Sequence, residues 1–173
     1  DTIHYTSAAL SFILQDLGIP IILVGAQRSS DRGSSDSGLN LLCAINFITK
    51  TDFSGVAICM HESMSDETCL ILPGLKTRKL HSSRRDAFKV VNSLPIARVS
   101  KDGKVDFVSS YVKKDYSKKL KLKLINERLK IGLLKAHPNM HVSEIKNYSN
   151  FDGLVIEGTG LGHMPINKVD NLT

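Results

Sequence analysis

The 173-residue sequence has no tryptophan, and aromatic residues make up only 6% of it. Its three cysteines, Cys43, Cys59 and Cys69, are odd in number, lie in or beside apolar runs and form no CxxC pair. That pattern argues against a disulfide framework or a cysteine-based zinc site. It predicts reduced, buried thiols in a cytoplasmic protein. No apolar run approaches the ~20 residues that cross a bilayer, so no membrane association is expected. No secretory leader pattern is visible. The Walker A pattern is absent, so ATP binding through a P-loop is not expected. Internal repeats and low-complexity segments are also missing.

What remains is the composition of a globular chain, 42% apolar and 23% charged. His4 to Leu17 has helical apolar spacing, with Gly18 as a stop signal. Ile19 to Val24 is a continuous apolar run of the kind found in a strand buried on both faces. A polar loop over 25–36 leads to a helix over Ser37 to Phe47, for which Asp36 or Ser37 would be the N-cap. Gly55 to Met60 is a second buried strand. Shorter strands are predicted over Thr68–Leu72, Thr77–Leu80, Ala97–Ser100 and Lys104–Val108. The last two are joined by the turn Lys101-Asp102-Gly103. The order is that of an α/β fold: a mostly parallel sheet flanked by helices, with an edge hairpin.

Residues 1–108 read as one domain. Residues 109–128, crowded with lysines, read as a basic interdomain linker with a helical turn or two over Lys118 to Leu129. Residues 129–173 read as the start of a second, smaller α/β domain, with strands over Lys130–Lys135 and Gly153–Ile156 and a helix over His141–Tyr148. Its glycine turn, Gly158 to Gly162, is GxGxG rather than GxGxxG and is a weak dinucleotide signal. The sequence opens without Met, and its end at Asn167–Thr173 breaks off after that turn, so a fragment of a longer chain is expected. The formal net charge of +6 permits a nucleic-acid partner through the lysine run. A solvated interdomain linker is the better account of those lysines.

Chemistry concentrates in Lys76 to Phe88, which holds five cations, His81 and Asp86 after an apolar strand. Such a cluster is ordinarily a solvated face. A lysine held among cations and partly desolvated can instead serve proton transfer. Asp1, just before a helix, reads on its own as an N-cap. Ala26 reads as a small residue after a strand. Arg28, Asp31, Arg32 and Asp36 could order a pocket or simply pair and cap. No metal site is expected: His137 and His141 lack a third ligand. Cys59, paired with His61 or His81, would be a buried and inert thiol.

Four stretches together resemble a known family. They are Asp1-Thr2-Ile3-His4-Tyr5-Thr6, Val24-Gly25-Ala26-Gln27-Arg28-Ser29-Ser30-Asp31-Arg32 with Ser34-Ser35-Asp36, Arg78-Lys79-Leu80-His81-Ser82-Ser83-Arg84-Arg85-Asp86-Ala87-Phe88, and Ile156-Glu157-Gly158-Thr159-Gly160-Leu161-Gly162-His163. In order and nearly literally, they resemble the asparaginase-type amidohydrolases, and among them the D-subunit branch of archaeal glutamyl-tRNA(Gln) amidotransferases. The resemblance implies that Asp1 is the catalytic aspartate and Lys79 the proton-transfer lysine. It also implies that the backbone at Ala26 touches the substrate amide. The nucleophilic threonines are expected upstream of Asp1.

The implied reaction releases ammonia from glutamine or asparagine. The implied partner is an E subunit that uses ATP and Mg²⁺ on Glu-tRNA(Gln), with this chain binding no cofactor itself. The implied assembly is a homodimer within a heterotetramer. A free-standing L-asparaginase would share these residues. A non-catalytic module binding RNA through its lysines is the alternative from another class.

Overall fold

The computed structural model describes residues 1–165. The chain divides into two compact units, the first from Asp1 to Leu124 and the second from Ile125 onward. In the first unit the elements run α1 (Ile3–Ile13), β1 (Leu14–Gln15), β2 (Pro20–Val24), α2 (Ser37–Lys50), β3 (Gly55–His61) and β4 (Thr68–Pro73). They continue with β5 (Thr77–Lys79), β6 (Phe88–Val90), β7 (Ala97–Ser100), β8 (Val105–Phe107) and β9 (Lys121–Leu122).

The core is a five-stranded sheet in the order β2-β3-β4-β7-β8. The α/β class expected from the sequence is what forms, but the strand directions differ from the expected pattern. β2 and β3 are parallel, with Ile22 opposite Ala57, whereas β3–β4, β4–β7 and β7–β8 are all antiparallel. The reason lies in the connections. A parallel neighbour needs a crossover of a dozen or more residues, and α2 supplies one between β2 and β3. β3 to β4 and β7 to β8 are joined by short turns, which reverse the chain.

Alternation along the central strands divides the core between two faces. Ala57 and Cys59 of β3, Cys69 and Ile71 of β4, and Ala97 and Val99 of β7 face Cys43, Ala44 and Phe47 of α2. Those three helix residues, with Asn40, fall at i, i+3, i+4 and i+7, the spacing of one helix face. On the other face Ile58, Met60 and Leu72 pack against Ala87 and Phe88, with Ile3 of α1 alongside. Both sheet faces are therefore covered, and this is why β3 and β4 read as unbroken apolar runs.

α1 ends earlier than its apolar spacing predicts. Leu14 and Gln15 leave the helix to pair antiparallel with Leu122 and Lys121, and Asp16 takes a left-handed φ of 56°. The predicted helical turn over 118–129 is thus replaced in part by strand β9. Most of the lysine-rich stretch, up to Leu124, is part of the first unit: Ser54 N donates to Val112 O at 2.7 Å and Lys123 N to Ile13 O at 2.9 Å. Lys114 Nζ donates to the carbonyls of Ile48 and Thr51 at the end of α2, while Lys113 and Lys121 pair with Asp52 and Asp16.

The second unit contains β10 (Ile131–Lys135), α3 (Val142–Lys146) and β11 (Gly153–Glu157), with β10 and β11 parallel. This is the strand–helix–strand order expected, with α3 shorter than His141–Tyr148. After it, Thr159 and His163 bridge across a tight turn, and Gly162 N donates to Thr159 O at 2.7 Å. A dinucleotide turn would open an α-helix, and none begins here among the described residues. Asn167–Thr173 lies outside the described residues.

Candidate active site

Lys79 is the last residue of β5, and β5 exists because it pairs with β6. Lys79 lies opposite Phe88, and Leu80 N donates to Ala87 O at 2.8 Å. The Phe88-Lys89-Val90 strand was not foreseen from the sequence. It puts the ring of Phe88 5.8 Å from Lys79 Nζ, within cation–π reach. Phe88 is itself buried in the core, so it fixes the lysine to the sheet.

From this position Lys79 Nζ donates a hydrogen bond to Asp1 Oδ1, forming an ion pair. The Lys79 side chain is 12% exposed and that of Asp1 86%. Asp1 does not cap α1: the cap is Thr2, whose side chain makes no capping bond. Instead the start of α1 presents Asp1 to the end of β5. A shallow cleft of about 440 Å³ opens over the pair, lined also by His4, Arg78, His81 and Ser82.

His4 is the member of this group that sequence reasoning overlooked. It lies one helical turn after Asp1, and its i,i+3 spacing was the available signal. Its ring packs edge-on to Phe88 at 5.9 Å, and its Nδ1 is buried without a hydrogen-bond partner. Burial first, then the positive charge of Arg78 and Lys79, hold its pKa below the ordinary histidine value. A neutral imidazole beside a lysine can accept a hydrogen bond without adding to the charge.

Ala26 is exposed just past the C-terminal end of β2 and is not among the residues lining the cleft. Its turn is rigid. Gln27 N and Arg28 N donate to the carboxylate of Asp36 at 3.0 and 2.9 Å, and Asp36 is fully buried. Asp36 therefore spends its side chain on the turn rather than on capping α2.

The other sequence candidates have structural partners. His61 is buried between Asn40 and Asp66, and the thiol of Cys59 donates to Asn40 O at 3.3 Å. Cys43 is pushed well above the ordinary thiol value by its hydrogen bond with Cys69 and by burial, which suits an inert core group. His137 pairs with Glu144 at 2.9 Å, and His141 caps α3 in a reciprocal capping box. Among the described residues no cluster of three His, Cys, Asp or Glu could hold a metal ion. No helix among them is long and apolar enough to cross a membrane. A larger cavity of about 560 Å³ lies at the other end of α1, near Leu14, Tyr111 and Lys118, and contains none of the candidate residues.

Residues 1–113 match the family described as "Asparaginase, N-terminal", and the chain belongs to that family. It is 45% identical to the D subunit of the glutamyl-tRNA(Gln) amidotransferase of Pyrococcus horikoshii, across 95% of this chain and 38% of that protein. It is 46% identical to the same-named protein of Methanococcus vannielii, across 95% of this chain and 39% of the relative. The chain thus spans about two fifths of the length of these relatives. Among solved structures it resembles the thermostable L-asparaginase from Thermococcus kodakarensis, with a TM-score of 0.79 and 26% identity over 96% of this chain and 48% of that one.

Proposed function

We propose that this chain carries the proton-relay part of a glutamine (or asparagine) amidase site in an amidotransferase of the D-subunit type. The observation that carries the reading is the Lys79–Asp1 pair, made by residues from distant parts of the first unit's sequence and open to a cleft. The names of the curated relatives support the amidotransferase assignment.

In this reading a threonine hydroxyl, which the family pattern places before Asp1, attacks the side-chain amide carbon. Its proton passes through the Lys79–Asp1 hydrogen bond to the departing nitrogen, the C–N bond breaks, and ammonia leaves. Water then cleaves the resulting acyl ester, so amide and water give acid and ammonia. An alcohol is a poor nucleophile until a neighbour takes its proton, which is the role given to Lys79. In the same reading the backbone at Ala26 would touch the substrate amide, and its position just past the carboxyl end of β2 supports this, since open α/β sheets bind ligands at that end of their strands.

The chain itself needs no metal or cofactor in this scheme. An E subunit would activate Glu-tRNA(Gln) with ATP and Mg²⁺ and receive the ammonia, two copies of each protein forming the assembly in the cytoplasm. Residues 1–108 would belong to the catalytic domain, 109–128 would connect, and 129–173 would begin the C-terminal domain. A free-standing L-asparaginase is the second reading, favoured by the solved structure that bears that name.

Ammonia release from glutamine and asparagine by the full-length protein, with and without the E subunit and Glu-tRNA(Gln), separates the two. Glutamine hydrolysis that rises sharply with partner and charged tRNA is the expected result. Partner-independent asparagine hydrolysis would instead favour the asparaginase. In either case Lys79→Met is expected to lower turnover by about 10²–10⁴-fold, the range of general acid–base contributions, with the thermal midpoint unchanged. Retained turnover would move the relay elsewhere.

A further inference from the structure

A second set of polar residues, none of which lines the Lys79 cleft, runs through the interior as an unbroken chain of hydrogen bonds. It starts at the Ala26 turn, whose Gln27 and Arg28 amides donate to Asp36. Asn40 Nδ2 donates to Asp36 Oδ2 at 3.1 Å and to Gly25 O at 2.9 Å. Asn40 Oδ1 meets His61 Nδ1 at 2.6 Å, and His61 Nε2 meets Asp66 Oδ1 at 3.1 Å. Arg85 closes the chain: Nη1 donates to Asp66 Oδ1 at 2.9 Å and to Met64 O at 3.1 Å, and Nη2 donates to Ser34 O at 2.6 Å. Asp36, Asn40 and His61 are at most 1% exposed, and Arg85 is 8% exposed.

The hydrogen-bond partners fix how Asn40 faces His61. Asn40 uses its amide nitrogen on two acceptors, so its oxygen faces His61 and accepts from Nδ1. Asp66 is held below the ordinary carboxylate range by its hydrogen bond with His61, then by Arg85, and so accepts at Nε2. Both ring nitrogens of His61 thus lie within hydrogen-bond distance of a side-chain oxygen, and His61 Nε2 and Arg85 Nη1 meet the same Asp66 oxygen.

The two ends of this chain matter. One end is the turn that carries Ala26. The other is Arg85, two residues before Ala87, whose carbonyl holds Leu80 next to Lys79. Building on the amidase reading, we propose that His61 and Arg85 are positioning residues: the Asp36–Asn40–His61–Asp66–Arg85 chain, buried except at Asp66, sets the Ala26 turn relative to the hairpin that carries Lys79. Neither residue touches the reacting atoms. A side chain that only filled space would not need a guanidinium fork that spans Ser34, Met64 and Asp66. Buried polar networks of this kind specify one arrangement, and here only Arg85 Nε among the guanidinium nitrogens is buried without a partner.

The test is made in the full-length protein with Arg85→Lys and His61→Gln. Lysine keeps the charge but loses the fork, and glutamine can reach Asp66 or Asn40 but not both. Amide hydrogen exchange is the first readout, because it does not depend on any activity. Protection at Gln27 and Arg28 is expected to fall about tenfold in Arg85→Lys, although Arg85 contacts neither residue, while the β3–β4 amides stay protected. Kinetics on the amide substrate is the second readout. KM is expected to rise and kcat to fall together, since about 1 Å of misplacement costs on the order of 10²-fold.

Unchanged exchange at Gln27 and Arg28 would overturn the proposal. So would a uniform loss of protection through β3 and β4 in both variants, since that would make the chain general scaffolding. Loss of protection at the turn, in a wild-type protein that hydrolyses neither amide, would sustain the coupling and refute the amidase reading instead.

Discussion

Lys79 and Asp1 meet because one closes a three-residue strand and the other precedes the first helix turn, each set by its backbone. Neither residue was distinctive by composition. The roles proposed for them come only from the resemblance, and their contact only from the structure, because nothing in a sequence encodes a separation of 78 positions closing to one hydrogen bond. Asp36 shows the opposite outcome. A carboxylate before a helix reads as a cap, but two turn amides eight and nine residues earlier in the chain take it instead.

Asp86 gives the residue-scale prediction. Arg84 grips it at 2.8 and 3.2 Å and Lys89 at 2.9 Å, and the Arg84 hydrogen bonds above all hold its carboxyl well below the usual carboxylate range. The folded value is depressed, so the stabilisation is complete above the unfolded value of about 3.9 and disappears as pH falls through the folded value. Thermal midpoints measured from neutral pH down to acid should decline in the wild type across that window. Asp86→Asn should begin lower and decline less, and an identical slope would remove Asp86 from the acid sensitivity.

At the scale of elements, α1 is locked to the sheet through one small residue. Ser7 Oγ donates to Gly74 O at 2.9 Å from a fully buried position. A Cβ on Gly74 would meet Ser11 Oγ and Val56 O at 2.8 Å, closer than real Cβ contacts. Gly74→Ala should therefore push α1 away from the sheet and cost about 1–3 kcal/mol, read as a lowered denaturation midpoint. Since α1 also carries Asp1 and His4, the same variant should weaken activity more than its stability loss accounts for.

Among the strands, β2, β3 and β4 were readable because burial on both faces leaves unbroken apolar runs. β6 was not, because Phe88-Lys89-Val90 is three residues long with a lysine at its centre. Strand direction was not readable from apolar content. The short turn after β3 decides it, and no hydrophobic pattern distinguishes parallel from antiparallel burial. Leu14 and Gln15 fit a helix by spacing and left it for a partner more than a hundred residues away, so a tertiary contact overrode a local preference.

At the scale of the whole molecule, the +6 charge looked like an invitation to nucleic acid. Much of it has other work: Lys113 and Lys121 pair with aspartates, Lys114 caps α2, and Arg85 sits inside the hydrogen-bond chain. The sheet has a further consequence. Among the described residues β2 bonds to a single strand, and its far side carries no partner. Pro20-Ile21-Ile22-Leu23-Val24 offers that free side no charge, no bulge and one missing N–H. Such a border is a template for another polypeptide, and natural proteins usually blunt it with lysine or a twist. This 173-residue chain, prepared alone, should therefore behave as a sticky ribbon. Concentration-dependent, thioflavin-positive assembly is expected, and Ile22→Lys should suppress it. A strand laid along β2 in the longer relatives would act as a chaperone in cis.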